Sequence, residues 1–394
     1  MAKRRFKKRF KLIFSLLLIL GLSYIGYRVY AYLNNDKPLP IIDTFKENTE
    51  TWPKVYSLSL IAAGDTVLHN EVLNFAKKGD TYDFKPFLAD IKDMVSSYDI
   101  AYYNQETVFG GKELGYSTYP RFSSPSEFGE AMIDAGFNTV SLANNHSNDR
   151  GEKAILNSLA WWKSQDGIMY NGMAESEEDR TNYIIMEKNN IKYAMLAYTY
   201  GTNGLNLPAG KNYLVNIYSD ELAKKDIEAL RDKVDVLIVA MHWGVEYTYN
   251  PTETQKKQAK YLADLGVDIV IGNHPHCIQP VEWIGNTLIL YSLGNLLSNQ
   301  MIMINTYGYK VAVGAFATLN INKLVNEDGT SEITIDDLEM ELHYNYKNSN
   351  QRLYRIIPFS KIDTSILKNY QSVYESHKAV LQKFDPNIKV KASA

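Results

Sequence analysis

The chain has 394 residues, 45% hydrophobic and 22% charged, with a formal net charge of −3. That balance excludes a disordered polymer and a nucleic-acid binder of the basic type, and the length allows one large domain or two ordinary ones. The single cysteine, Cys277, excludes an intrachain disulfide.

Basic residues crowd the start, from Lys3 to Lys11, and Leu12–Tyr27 carries no charge. Arg28 interrupts near the outer end, where its side chain can snorkel, and Val29–Leu33 extends the apolar run. Residues 1–11 therefore read as a cytoplasmic basic segment and 12–33 as a transmembrane anchor, since about 20 apolar residues cross a bilayer core. The positive flank stays inside, which predicts a single-pass membrane protein with an extracytoplasmic C-terminal domain. The competing reading is a cleaved signal peptide, but Ala31 between Tyr30 and Tyr32 makes a poor cleavage site. Residues 34–53 are polar and hold Pro38, Pro40 and Pro53, as a stalk would.

From residue 54 to 320 the pattern alternates strand and helix. Ser57–Ala63 reads as a strand, Phe84–Ser97 as a helix, Asp99–Tyr103 as a strand, Ser126–Ala135 as a helix and Thr139–Ala143 as a strand. Glu152–Gln165 is an amphipathic helix, and Asn189-Asn190 marks a hairpin between Tyr183–Lys188 and Ile191–Tyr198. Ser219–Asp232 and Thr252–Leu265 read as helices, and Val234–Met241, Val267–Ile271 and Thr287–Tyr291 as strands. The class is α/β. Residues 321–394 form a small α+β extension, with alternation over Glu332–Tyr346 and a polar helical stretch over Ser360–Lys383. His343 and His377 read as surface or structural histidines.

The other five histidines fall in short polar strings, each following a predicted strand. In open α/β sheets, functional groups gather beyond the carboxyl ends of the strands. Gly64-Asp65 offers a tight turn, and His69, four residues on, would share a helical face with Asp65. Asn145 can ligate through its amide oxygen. His146 can act as general acid, with Asp149 orienting its ring; the competing reading is a polar loop capping the next helix. His274-Pro275-His276 places two imidazoles on one side of an extended segment. His242, with Trp243 and Glu246 beside it, reads as part of a polar and aromatic wall. Asn104 and Glu106 follow another strand, Glu106 as a shared or outer carboxylate. Together these loops supply about seven oxygen and nitrogen donors, enough for two divalent ions that clamp a phosphoryl group and acidify a water. A single structural metal is the blander alternative, though such a site closes with four ligands.

The ordered set Gly64-Asp65, Asn104-Gln105-Glu106, Asn144-Asn145-His146 with Asp149 and Gly151, Met241-His242-Trp243-Gly244 with Glu246, His274-Pro275-His276 with Gln279-Pro280, and Tyr291-Ser292-Leu293-Gly294-Asn295 resembles the CapA family of capsule-synthesis proteins. That family includes the membrane-anchored subunit of poly-γ-glutamate synthesis and looks like a branch of the calcineurin-like metallophosphoesterases. The resemblance implies a four-layer α/β/β/α sandwich. It also implies one metal on Asp65 and His276, a second on Asn145, His242 and His274, and His146 protonating the leaving group. The metal, manganese, zinc or iron, is not specified. Two departures stand out: the phosphoesterase Asp-x-His is absent, leaving His69 as substitute, and Glu106 is only a candidate for the bridging carboxylate. Asn104, Trp243 and Glu246 are expected to face substrate, an envelope polymer or phosphoester. Membrane partners are expected for polymer synthesis, because the chain lacks a phosphate-binding Gly-x-x-x-x-Gly-Lys-Ser/Thr loop. The functions in view are a metal-dependent hydrolase of phosphoesterase type, a non-catalytic subunit that binds metal or anionic polymer, and an amide hydrolase using the same centre.

Overall fold

The computed structural model describes residues 2–33 and 52–394, with residues 2–14, 16, 31 and 32 described as backbone only. It falls into two units, Met1–Trp52 and Pro53–Ala394. In the first, Ala2–Leu33 is one continuous helix, along which Leu17, Ile19, Leu20, Leu22 and Ile25 are exposed. Among the described residues no helix is long and apolar enough to cross a membrane. The predicted span 12–33 lies partly outside the described side chains, and nearly all of the predicted stalk, 34–51, lies outside the described residues.

The second unit holds two large sheets. Strands are numbered along the chain, and β2 (Lys77–Lys78) with β3 (Thr81–Tyr82) forms a small separate hairpin. The first sheet contains β1 (Lys54–Val67), β4 (Ile100–Gln105), β5 (Thr139–Ser141), β6 (Met169–Asn171), β13 (Asn295–Ser298), β14 (Val313–Val325), β15 (Ser331–Asn348), β16 (Leu353–Pro358) and β17 (Lys389–Val390). Its path is β16-β15-β14-β1-β4-β5-β6, with β13 on β1 and β17 on β15. The second contains β7 (Ile185–Lys188), β8 (Ile191–Thr199), β9 (Val236–His242), β10 (Ile269–Asn273), β11 (Val281–Ile284) and β12 (Thr287–Leu290), in the order β11-β12-β10-β9-β8-β7.

The period-two alternation of these strands sorts side chains into three cores. Leu58, Leu60, Ile100 and Tyr102 of the first sheet meet Met195, Ile238, Ala240 and Ile271 of the second in a shared core. Their neighbours Ile61, Ala63, Ala101 and Tyr103 turn outward onto helices Glu127–Asp134 and Gly151–Lys163, through Phe128, Met132, Ile155 and Trp162. Leu196, Leu237, Val239 and Val270 turn outward onto Asp220–Leu230 and Glu253–Asp264, through Ile227, Leu230, Ala259 and Leu262. The order is helix, sheet, sheet, helix. Each large aliphatic side chain fully buried there contributes about 1.5–3 kcal/mol.

Local signals set several boundaries. Asn189 and Asn190 adopt φ of 50° and 59° and close the β7–β8 hairpin, which pairs antiparallel. Thr252 and Gln255 form a capping box that starts Glu253–Asp264. Elsewhere the pattern misled. The predicted helix Phe84–Ser97 is two short helices, Lys85–Leu88 and Lys92–Val95, and the helix within Ser360–Lys383 covers only Tyr370–Leu381. The boundary expected after residue 320 falls inside β14, which pairs with β1 over Ala317–Val325. Of the two readings of His343 and His377, surface or structural, burial leaves the structural one for both.

Candidate metal centre

Parallel pairing brings the strand ends level. In the first sheet Asp65 sits opposite Asn295 on one side and Asn104 on the other, and Asn104 opposite Ser141. In the second, His242 sits between Thr199 and Asn273. Tyr102 Oη accepts a hydrogen bond from Asn273 Nδ2 at 2.8 Å and ties the two sheets just before these ends. Polar residues that the alternation places in the shared core near its rim thus face one another across the sheets.

Glu106 lies at the centre. Its Oε1 is 3.7 Å from His242 Nε2 and 3.5 Å from His276 Nε2, and neither carboxylate oxygen has a hydrogen-bond partner. Donor atoms of Glu106, His274 and His276 converge within 4.8 Å of one another, as do those of Asp65, Glu106 and His242. Glu106 belongs to both groups. The two groups overlap, and the pairs of the expected division also lie close: Asp65 beside His276, and His242 beside His274, ring to ring at 4.8 Å. Asp65 accepts from Asn104 Nδ2 at 2.8 Å and from the His274 backbone N–H at 3.0 Å, and its Oδ2 is 3.3 Å from His276 Nδ1. Asn145 Oδ1 is 3.0 Å from His242 Nε2.

Burial decides the protonation of these groups. It pushes Glu106 well above the ordinary carboxylate range, against the pull of His276 and helped by Asp65. Burial, then the neighbouring imidazoles, drives His242 well down and His274 to about 3. His276 goes the other way: burial opposes its charge, but Glu106 and Asp65 outweigh burial and hold it at about 10. Both Glu106 carboxyl oxygens, His274 Nδ1 and Asn104 Oδ1 are buried lone-pair donors with no hydrogen-bond partner. The donor set fits divalent cations of borderline character.

The backbone here is shaped for the task. His274 and His276 have φ of 96° and 54°, so the His-Pro-His segment is a turn of left-handed residues and not the extended stretch expected. The rings still converge, at 5.9 Å between centroids. Gly64 serves close approach: a Cβ there would lie 1.8 Å from the Gly294 carbonyl oxygen, which accepts the Asp65 N–H at 2.8 Å. β1 continues through Asp65 to Val67 with register shifts on either side of Asp65, so an irregularity within the strand, and not a tight turn, surrounds Gly64.

His146 stands beside the cluster. Its Nδ1 is 2.8 Å from Asp149 Oδ2, which also accepts the Phe122 N–H at 2.6 Å, and its ring meets Phe122 edge-on at 4.8 Å. The capping reading of Asp149 does not hold: Arg150 is the N-cap of helix Gly151–Lys163, and Asp149 instead fixes His146.

Three residues hold positions other than those expected. Trp243 is 2% exposed and packs over Gly272, its Nε1 donating to the Tyr291 carbonyl at 3.0 Å, so it serves the outer core and does not face substrate. Asn104 is fully buried between Asp65 and His242, at 3.4 Å from His242 Nδ1, and belongs with the donors and not with a substrate surface. His69 does not join the donor groups. The strand from Asp65 to Val67 is extended at about 3.3 Å per residue, which places His69 at the N-cap of helix Asn70–Ala76, where it lines a cleft with His146 and His276. Its Nδ1 lies 3.1 Å from the Val67 carbonyl, and burial lowers its pKa to about 4. Glu246 is exposed and lines the two clefts that open from His146.

The structure adds residues that periodicity could not indicate. Tyr200 lies 4.8 Å from His274 and stacks on His242 at 6.4 Å. Asn295 Oδ1 is 3.0 Å from His276 Nδ1, its Nδ2 donates to Gln300 at 2.8 Å, and its carbonyl accepts Asn345 Nδ2 at 2.9 Å. Arg121 lines the cleft shared by Asn145, His146 and Asp149. The Ser-Leu-Gly-Asn string was the one available signal for Asn295; nothing marked Tyr200 or Arg121.

Fold and site define a two-sheet α/β protein with a buried histidine and carboxylate centre at its strand ends. The chain belongs to the family described as bacterial capsule synthesis protein PGA_cap, whose model matches residues 59–300. It is 32% identical over 182 residues to the capsule biosynthesis protein CapA of Bacillus anthracis, a match that covers 45% of this chain and 44% of that protein. It is also 32% identical over 173 residues to the PGA biosynthesis protein CapA of Bacillus subtilis, covering 43% of this chain and 45% of that one. The match thus spans less than half the length of these curated relatives. Among solved structures, a hypothetical protein from Thermus thermophilus aligns with a TM-score of 0.41 and 15% identity, over 71% of this chain and 98% of the other.

Proposed function

We propose that this protein is a membrane-anchored, extracytoplasmic member of a capsule or poly-γ-glutamate type envelope pathway, with a di-metal hydrolase site of phosphoesterase type. The observation that carries the hydrolase reading is the His146–Asp149 pair set beside the Glu106-centred donors. Divalent cations held by Asp65, Glu106, Asn145, His242, His274 and His276 would supply Lewis acidity toward an ester oxygen and acidify a water. With Nδ1 committed to Asp149, His146 keeps Nε2 for delivering a proton to the leaving oxygen. Arg121 offers its guanidinium to the anionic oxygens of the substrate in the same cleft. The anchor reading is supported by the basic start of the chain and by the exposed apolar side chains along Ala2–Leu33. The domain division follows from the same reading: basic segment, anchor, stalk, main domain and the C-terminal segment.

A second reading is favoured by one observation. The position two residues after Asp65, where phosphoesterases carry histidine, is Val67, and His69 stays outside the donor groups. A subunit that binds metal or an anionic polymer without turnover, working with membrane partners, accommodates this. The full-length chain in detergent, loaded with manganese, zinc or iron, decides between them on an aryl phosphodiester and a γ-glutamyl anilide. Hydrolysis of the phosphodiester that falls about 10²–10⁴-fold in His146→Ala, with metal content retained, supports the first reading. Metal binding with no turnover above the His146→Ala level supports the second. Turnover of the anilide alone would replace the phosphoesterase reading by an amide hydrolase.

A further inference from the structure

The centre opens into two clefts that share Tyr119, His146 and Glu246. Their chemistry differs. The smaller, about 310 Å³, holds Arg121 with Asn145, Asp149 and Asn203. The larger, about 470 Å³, is walled by Tyr119, Phe122, Tyr247 and Tyr307 with Ile302 and Met303, and no lysine or arginine lines it.

We propose that this larger cleft binds a neutral, hydroxyl-rich sugar ring of the substrate, with the substrate's anionic group on the Arg121 side. The proposal rests on the hydrolase reading only for where the reacting group lies. The faces of a pyranose are apolar C–H surfaces and its rim carries hydroxyls. The aromatic wall suits the faces: Tyr247 and Tyr307 pack together at 4.4 Å between centroids, and Tyr119 and Ile302 stand 74% and 64% exposed at the mouth. The rim also finds partners. Asn299 Oδ1 is held by Tyr354 at 2.6 Å and Gln300 Oε1 by Asn295 at 2.8 Å, which leaves both side-chain N–H groups as donors, while Glu246 is an acceptor. The wall is preorganised: the Tyr247 N–H donates to the Pro275 carbonyl at 2.8 Å, and Lys310 Nζ donates to the Tyr247 carbonyl at 3.0 Å.

Charge separates this occupant from a γ-linked glutamate polymer. Every residue of that polymer carries a carboxylate, and in this cleft each would face Glu246 with no lysine or arginine to receive it, while His276 on the wall is already engaged by Asp65 and Glu106. Lys310, close by, is spent on the Tyr247 carbonyl and lies over the Tyr249 ring at 5.0 Å.

The test is titration of the full-length chain, in a detergent without a sugar headgroup, with the neutral N-acetylglucosamine tetramer by calorimetry. Saturable binding is expected, weakened roughly ten-fold in Tyr307→Ala and restored in Tyr307→Trp, since one aromatic contact supplies about 0.5–1.5 kcal/mol. A γ-linked glutamate tetramer and adenosine should not displace the sugar. No saturable binding, equal binding in Tyr307→Ala, or displacement by either competitor overturns the proposal. The measurement needs no turnover and is repeated after chelation. A protein that binds the sugar but hydrolyses nothing fails only the hydrolase reading, and one that hydrolyses aryl phosphodiesters without binding the sugar fails only this one.

Discussion

Two buried histidine environments in this protein carry the same residue and opposite chemistry. At the strand ends His242, His274 and His276 surround Glu106 and Asp65. In the middle of β15, His343 is fully buried against Phe316, ring to ring at 4.7 Å, with neither nitrogen hydrogen-bonded. Burial alone lowers His343 to about 3 and leaves it a neutral filler. The same burial at the strand ends is opposed by carboxylates, which raise one imidazole while the others fall. A buried histidine becomes a site only where carboxylates converge on it.

The comparison breaks most sharply at Glu106. Glu106→Gln keeps the shape but removes the charge common to both donor groups, so bound metal by elemental analysis should fall to less than half of wild type, whereas His343→Leu should retain it. Equal metal content in Glu106→Gln would end the bridging assignment. The next effect is at Asp149. Asp149→Asn should leave metal content intact and lower phosphodiester turnover by about 10²-fold or more, with an altered pH profile, because the His146 ring loses its acceptor. An unchanged profile would make Asp149 merely structural.

Asn295 sharpens the contrast from behind the cluster. It accepts from His276 Nδ1 and is itself fixed by Gln300, so Asn295→Ala should weaken metal affinity by roughly 10–100-fold in chelator competition. Affinity within two-fold of wild type would remove it as a positioning residue. The smallest effect at neutral pH belongs to His343. Its folded pKa lies below the ordinary value of 6.5, so its stabilising contribution is complete above about 6.5 and is lost as pH falls toward 3. His343→Leu should flatten the acid loss of urea stability by roughly 1.4 kcal/mol per pH unit in that window. An unchanged slope would mean the ring is already charged in the fold.

Legible in the chain alone are the α/β alternation, the hairpin at Asn189-Asn190, the helix start at Thr252 and the strings holding Asp65, Glu106, Asn145, His146, His242, His274 and His276. These are local signals: two-residue and 3.6-residue periods, turn chemistry, caps, and polar residues at strand ends. Only the tertiary structure decided which residues meet. It made Glu106 central, because two sheets must face each other before its carboxylate lies between His242 and His276. It sent Trp243 into the outer core over Gly272, and it placed His69 at a helix N-cap, because an extended strand advances where a helical turn would have returned. It also joined the C-terminal strands to the first sheet and opened the aromatic cleft, since β14 pairing with β1 and the walls of a cleft are contacts between residues far apart in the chain, on which periodicity is silent.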